Sequence, residues 1–114
     1  MGATATTPRR RNIAKIKTGT YTGNGADDRD IDIGVNLAAK NNVYLIVKAN
    51  TDGNSAAIHR IEYAQGDFSM SYEAVTDVTN RIQGFTATGF QVGNSNETNG
   101  DTIVYRYIAF WEEP

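Results

Sequence analysis

TIVYRYIAFW, residues 102–111, is the strongest β-strand signal in the chain. Successive side chains of a strand point to opposite faces, so Val104, Arg106, Ile108 and Phe110 share one face and the odd-numbered residues share the other. Both faces are largely apolar, although a strand of a small sandwich has only one core face. We therefore expect a second subunit to cover the other face, in a small closed oligomer such as a dimer or a trimer. The predicted oligomer interface consists of Tyr105, Tyr107, Ile108, Phe110 and Trp111.

Upstream segments carry the same kind of signal. VYLIVK, residues 43–48, is apolar on both faces and predicts a central strand. In residues 28–33, Asp28, Asp30 and Asp32 fall on one strand face and Ile31 and Ile33 on the other, which predicts one solvated acidic face and one buried face. Clusters of Gly, Asn and Asp separate such segments and predict turns. The predicted strands span residues 15–22, 28–33, 43–48, 58–63, 68–72, 81–87, 89–92 and 102–111.

About eight short strands and no convincing long helix predict an all-β fold, specifically an antiparallel, jelly-roll-like β-sandwich. Phe68, Met70 and Tyr72 alternate with serines, a pattern typical of a half-buried strand. Residues 73–80 fit either a single helical turn or an extended segment, and we favour the extended one. Phe85, Phe90 and Val92 are expected in the core.

Composition limits the chemistry that this chain can perform. Its 114 residues suit one domain, and 39% are hydrophobic. The absence of cysteine excludes disulfides, thiolate zinc sites and thiol nucleophiles. No apolar run approaches the roughly 20 residues that span a bilayer, so no membrane is expected as a partner. The start, MGATATTPRRR, lacks an apolar stretch behind its charges and does not resemble a secretory signal.

Charge is divided unevenly along the chain. Residues 1–17 carry five basic and no acidic side chains, whereas the remainder carries six basic and thirteen acidic ones, a net charge of -7. We therefore predict a flexible basic arm over residues 1–14 and a single β-sandwich domain over residues 15–114. Such an arm indicates a partner with an acidic surface. The predicted partner-binding residues are Arg9, Arg10, Arg11, Ile13, Lys15 and Lys17.

No catalytic constellation is visible in the sequence. His59 is the only histidine, and neither a zinc-binding spacing nor a nucleophile motif accompanies it. The segment DRDID, residues 28–32, begins like a calcium loop, but Ile33 stands where the turn glycine belongs and Ala39 where the bidentate glutamate belongs. We therefore predict no metal, no cofactor and no enzymatic activity.

Several segments, in this order, resemble a β-sandwich domain of tailed-bacteriophage structural proteins. That family opens with a Y-x-G-[NT]-G motif, matched by Tyr21, Gly23 and Gly25, and continues with a strand matched by residues 43–48. A GFxVG turn is matched by residues 89–93. An N-x-x-G loop and a closing YxYIAF strand follow, and the resemblance extends over roughly residues 18–111. The counterparts in these last two motifs are Asn99, Gly100 and residues 105–110.

The resemblance implies a structural role in a virion. Because the chain begins with Met and ends soon after its last strand, we expect a small free-standing protein, most simply a capsid decoration (cement) protein. It would be made in the host cytoplasm and bind the major capsid protein on the outer capsid surface. The basic arm would pair with capsid carboxylates, and residues 13–17 could add a strand to a capsid sheet edge.

Two other functions stay open from the sequence. A tail, baseplate or fibre module would bind host glycans through loops such as residues 51–54 and 93–101, but these loops contain neither Trp nor Tyr. A coat protein could direct its arm toward the packaged genome, with binding that falls steeply as salt rises. Nucleic acid is the less favoured partner because the arm has no aromatic residues for base stacking.

Overall fold

The computed structural model describes residues 13–50 and 55–113, which form eight β-strands and two short helical segments. Most strands are short and separated by turns, as the frequent Gly, Asn and Asp residues predict. The only helices in this part of the chain are a 3-10 turn at Leu37–Ala39 and α1 at Asn96–Asn99. The strands are β1 (Ile13–Thr22), β2 (Arg29–Asp32), β3 (Asn41–Ala49), β4 (Ile58–Ile61), β5 (Met70–Ser71), β6 (Ile82–Phe85), β7 (Gly89–Val92) and β8 (Val104–Glu113).

The strands form two antiparallel sheets that enclose one core, so the predicted all-β fold is confirmed. The first sheet has five strands in the order β1-β8-β3-β4-β5, and the second has three in the order β2-β7-β6. Buried residues of both sheets belong to one hydrophobic cluster, which gives the layered arrangement of a sandwich. A jelly-roll connectivity stays a prediction.

Strand β8 lies between β1 and β3 and organises the first sheet. It pairs with β1 along the whole of both strands, from Ile13 opposite Glu113 to Thr22 opposite Val104. Its alternation matches the sequence pattern, because Tyr105 and Ala109 are fully buried whereas Phe110 is 37% exposed. The odd-numbered face of β8 is therefore the core face.

Aromatic rings link the two sheets at the centre of the core. Phe90 of β7 is fully buried and meets Tyr21 of β1 and Tyr107 of β8 edge to face, with centroid distances of 5.9 and 5.8 Å. Edge-to-face pairs place the positive edge of one ring against the negative face of another. Phe90 and Val92 were expected in the core and are buried there, and Phe85 is partly buried against it.

The predicted strand over residues 68–72 alternates as expected, but its serines face the core and its aromatic residues face outward. Ser69 and Ser71 are buried, whereas Phe68 and Tyr72 are 45% and 62% exposed. The cause is strand pairing, because Ser71 lies opposite Ile58, which is fully buried. A residue paired with a core-facing neighbour shares its face.

Strand β1 begins at Ile13, inside the segment that was predicted to be the arm. Ile13 and Ala14, assigned to the arm by sequence, pair with Glu113 and Glu112 in the first sheet. Residues 1–12 lie outside the described residues. Residues 73–80 form turns and an extended segment, with a single bridge between Ser69 and Val78.

Candidate protein interaction surfaces

Strand β1 forms one margin of the first sheet and is the longest exposed strand edge. One side of β1 pairs with β8, and within residues 13–50 and 55–113 no strand pairs with its other side. Ile13 and Ile16 are 57% and 61% exposed. A strand edge presents backbone N–H and C=O groups that can accept another strand.

The two predicted lysines of β1 have different surroundings. Lys17 Nζ donates a 2.6 Å hydrogen bond to the carbonyl of Ile33, directly after β2, and so links the two sheets. Lys15 is exposed beside Glu113, whose pKa is lowered mainly by its hydrogen bond from Lys40 and slightly by Lys15. Lys15 is therefore the β1 lysine better placed for a partner. Arg9, Arg10 and Arg11 lie outside the described residues.

The five predicted interface residues of β8 lie on two faces of the sheet. Tyr105, Tyr107 and Trp111 are at most 7% exposed and face the second sheet of the same chain. Their side chains cannot also contact a second copy. Ile108 and Phe110 point to the outer face, so only these two are available to a partner.

An aromatic cluster extends across the outer face from β8 to the end of β5. Phe110 stacks on Tyr44 of β3 at 6.2 Å, and Tyr72 stacks on His59 of β4 at 4.4 Å. The hydroxyl of Tyr44 lies 2.9 Å from His59 Nδ1 and 3.2 Å from the hydroxyl of Tyr72. The four side chains therefore form one connected group, which we call the aromatic cluster.

Burial controls the protonation of this cluster. Partial burial and the hydrogen bond with Tyr72 raise the pKa of Tyr44 to about 12. Burial lowers the pKa of His59 below its usual value of 6.5. Both shifts favour the neutral forms of the His59 imidazole and the Tyr44 phenol.

Sequence reasoning did not identify this cluster. Alternation in VYLIVK does place Tyr44 on the face opposite the core, and the same pattern places Phe110 there. Their contact depends on β3 being the neighbour of β8, which no local pattern specifies. Tyr72 belongs to the predicted half-buried strand over residues 68–72, but alternation does not specify which strand lies beside it, so its stack on His59 could not be predicted either.

The outer face of the second sheet is polar. Asp30 and Asp32 of β2 are exposed while Ile31 is buried, which confirms the predicted alternation. Gln91 donates to Asp30 over 3.3 Å, and Asp32 accepts a 2.8 Å hydrogen bond from the backbone of Gly34. Within the described ranges, no group of three or more His, Asp and Glu side chains is placed to hold a metal ion.

The opening motif of the resemblance and its Asn99–Gly100 motif meet at one end of the sandwich. The side-chain oxygen of Asn99 accepts from the Asn24 backbone and from Arg29, and its amide donates to the Ala26 carbonyl over 2.6 Å. A Cβ on Gly23 would lie 2.0 Å from the Gly100 carbonyl, so glycine is required there. These contacts close this end of the fold, and the side chain of Asn99 makes its hydrogen bonds within the chain.

The loop following β4 is held by a buried arginine that the sequence did not single out. Arg60 is 5% exposed and donates to the carbonyls of Ala64, Gly66 and Phe68 at 3.0, 2.9 and 2.6 Å. It also lies 3.3 Å from the carbonyl of Ile82 in β6. Arg60 thus has a structural role, in that it fixes this loop and joins the two sheets.

Residues 51–54, one of the loops considered for glycan contact, lie outside the described residues. No helix within the described ranges is long and apolar enough to cross a membrane. Comparison with protein-family models, curated proteins and solved structures finds no match for this chain.

Proposed function

We propose that this chain is a non-enzymatic structural protein of a phage virion that docks on the capsid surface through β1 and the basic segment preceding it. The observation that carries the proposal is the position of β1 at the margin of the first sheet. Ten consecutive residues there extend over about 33 Å and can accept a partner strand.

Electrostatics favours an acidic partner for this edge. Arg9, Arg10 and Arg11 come directly before β1 in the sequence, and Lys15 lies on it, whereas residues 18–114 carry a net charge of -7. Two copies would bring like charges together if their β1 edges paired. A capsid surface rich in carboxylates would instead attract the basic segment and orient β1 for strand addition.

The resemblance to phage structural domains supports the choice of a virion. Its motif residues Gly23, Asn99 and Gly100 lie together at one end of the sandwich, so the resemblance concerns residues that contact one another. The two antiparallel sheets agree with the fold that the resemblance implies. The basic segment and the β1 edge belong to one chain, so binding of one would strengthen binding of the other through effective concentration.

The test is binding of the full chain to shells of the encoding phage that lack both this protein and packaged DNA. Replacing all three arginines by glutamine (R9Q, R10Q, R11Q) removes three exposed charges. We expect about tenfold weaker binding, because each exposed ion pair contributes up to about 1 kcal/mol. The matched control, R9K with R10K and R11K, keeps the charge and should bind as the original chain does.

Cryo-electron microscopy of the same shells locates the bound protein. We expect β1 to face the capsid and to continue one of its sheets. Density confined to the tail, or binding unaffected by the glutamine variant, would contradict the proposal. Binding by the original chain that is equally strong at high salt would also contradict it, since exposed charges are screened.

A further inference from the structure

We propose that two copies of this chain associate face to face through the outer surface of the five-stranded sheet. The two-fold axis lies in the plane between the two sheets and runs across the strands. This surface is distinct from the β1 edge, so the inference does not depend on capsid binding. It follows from three features of the surface, namely its apolar centre, the order of charges on either side and its size.

The centre of the surface consists of two neighbouring rows across the strands. In one row Ile16, Phe110, Tyr44 and Ile61 lie opposite one another on β1, β8, β3 and β4. Ile16 and Ile61 in this row are 61% and 43% exposed.

The next row places Thr18, Ile108, Ile46 and His59 on the same four strands. Neither row contains a carboxylate or a lysine. Exposed large side chains grouped in this way mark a surface that another protein covers.

Charges of opposite sign border the two rows. On one side Glu112 of β8 lies beside the first row, with Ala14 and Asn41 as its cross-strand neighbours. On the other side Arg106 of β8 and Lys48 of β3 lie opposite each other beside the second row. The surface is therefore acidic at one border, apolar across its centre and basic at the other border.

This order of charges is self-complementary under only one of the simple two-fold arrangements. An axis perpendicular to the strands, passing between the two apolar rows, places the first row of one copy over the second row of its partner. It also brings Glu112 of one copy over Arg106 of the other, twice by symmetry. An axis parallel to the strands would instead place Arg106 over Arg106, which like-charge repulsion disfavours.

The size of the surface is sufficient for a dimer. Strands about 4.8 Å apart and residues about 3.3 Å apart give a face of roughly 24 by 20 Å. Two such flat faces bury about 1,000 Å², which is about the minimum for a biological interface and corresponds to a weak, reversible dimer. Sheets packed in this way lie about 10 Å apart, the separation found between sheets of a sandwich.

Analytical ultracentrifugation of the full chain over a wide range of concentrations tests the proposal. We expect a monomer–dimer equilibrium. F110E places a charge without a partner in the centre of the interface and should weaken the dimer about a hundredfold. The matched control V75E adds the same charge in a fully exposed loop position and should leave the equilibrium unchanged.

A charge exchange tests the axis itself and covers the case in which F110E does not fold. R106E and E112K should each weaken the dimer about tenfold, because each creates two like-charge contacts. Combining them restores opposite charges and should recover the original affinity. A chain that is monomeric throughout, a trimer, or a double variant as weak as the single ones would overturn the proposal.

Discussion

The outer faces of the two sheets differ sharply although both sheets bury the same kind of residue inside. The outer face of the second sheet carries Asp30, Asp32 and Gln91, which water solvates well. The outer face of the first sheet carries Ile46 and the aromatic cluster, which includes Phe110. Core formation therefore explains only one face of each sheet, and the apolar outer face of the first sheet indicates a further contact.

The largest effect is expected from breaking the link between the two sheets. R60M should lower the free energy of unfolding by about 3 kcal/mol, because it removes a buried guanidinium that donates to four carbonyls and leaves the buried carbonyl of Ile82 without this charged donor. Urea unfolding measures the change. R81M is the matched control, since Arg81 pairs with Glu97 at a partly exposed site and its loss should have a smaller effect. Equal losses in the two variants would contradict the structural role of Arg60.

Placing the same charge on both outer faces sharpens the comparison. I46D removes a half-buried apolar side chain and should reduce stability by about 2 kcal/mol. Q91D stands beside Asp30 on the polar face and should reduce stability by about 0.5 kcal/mol through like-charge repulsion. Urea unfolding at a low chain concentration separates this effect from association. A larger loss for Q91D would contradict the assignment of the two faces.

Lowering the pH should reduce the stability of the fold through His59, which lies on the outer face of the first sheet. Because burial lowers its pKa, the unfolded chain binds the proton more readily than the folded chain. Stability from His59 is thus fully present above pH 6.5 and decreases as pH falls from 6.5 toward the lower folded pKa. The neighbouring phenol of Tyr44, whose pKa is raised to about 12, is uncharged throughout this range.

Melting temperature measured against pH tests the role of His59. The original chain should lose stability between pH 6.5 and the folded pKa, whereas H59N should show a flatter profile there. Parallel profiles for the two proteins would show that His59 does not titrate differently in the folded and unfolded chains.

The smallest effect is expected on the polar face. D30N keeps the shape of an exposed side chain and an oxygen that can accept the long 3.3 Å hydrogen bond from Gln91, so it removes only the charge. Its unfolding should be indistinguishable from that of the original chain in urea titration. A clear loss of stability would show that the acidic face contributes more to the fold than its solvation indicates.

Much of the fold could be predicted because alternation is a local property. Residues 28–33 and 43–48 showed their strands directly, and the structure places them in β2 and β3. Phe90 and Val92 were likewise identified as core residues from their own segment. Alternation states which residues share a face, but it does not state which face is inside.

The sequence was enough to establish the class of fold, the unequal charge of residues 1–17 and 18–114, and the residues that share each strand face. Tertiary structure decided which faces are inside, as Ser71 shows by following Ile58 into the core. It also brought Tyr44, His59 and Tyr72 together and divided the predicted β8 interface between core and surface. The reason is that strand order and register depend on contacts between distant segments, whereas the period of a strand depends only on its own backbone.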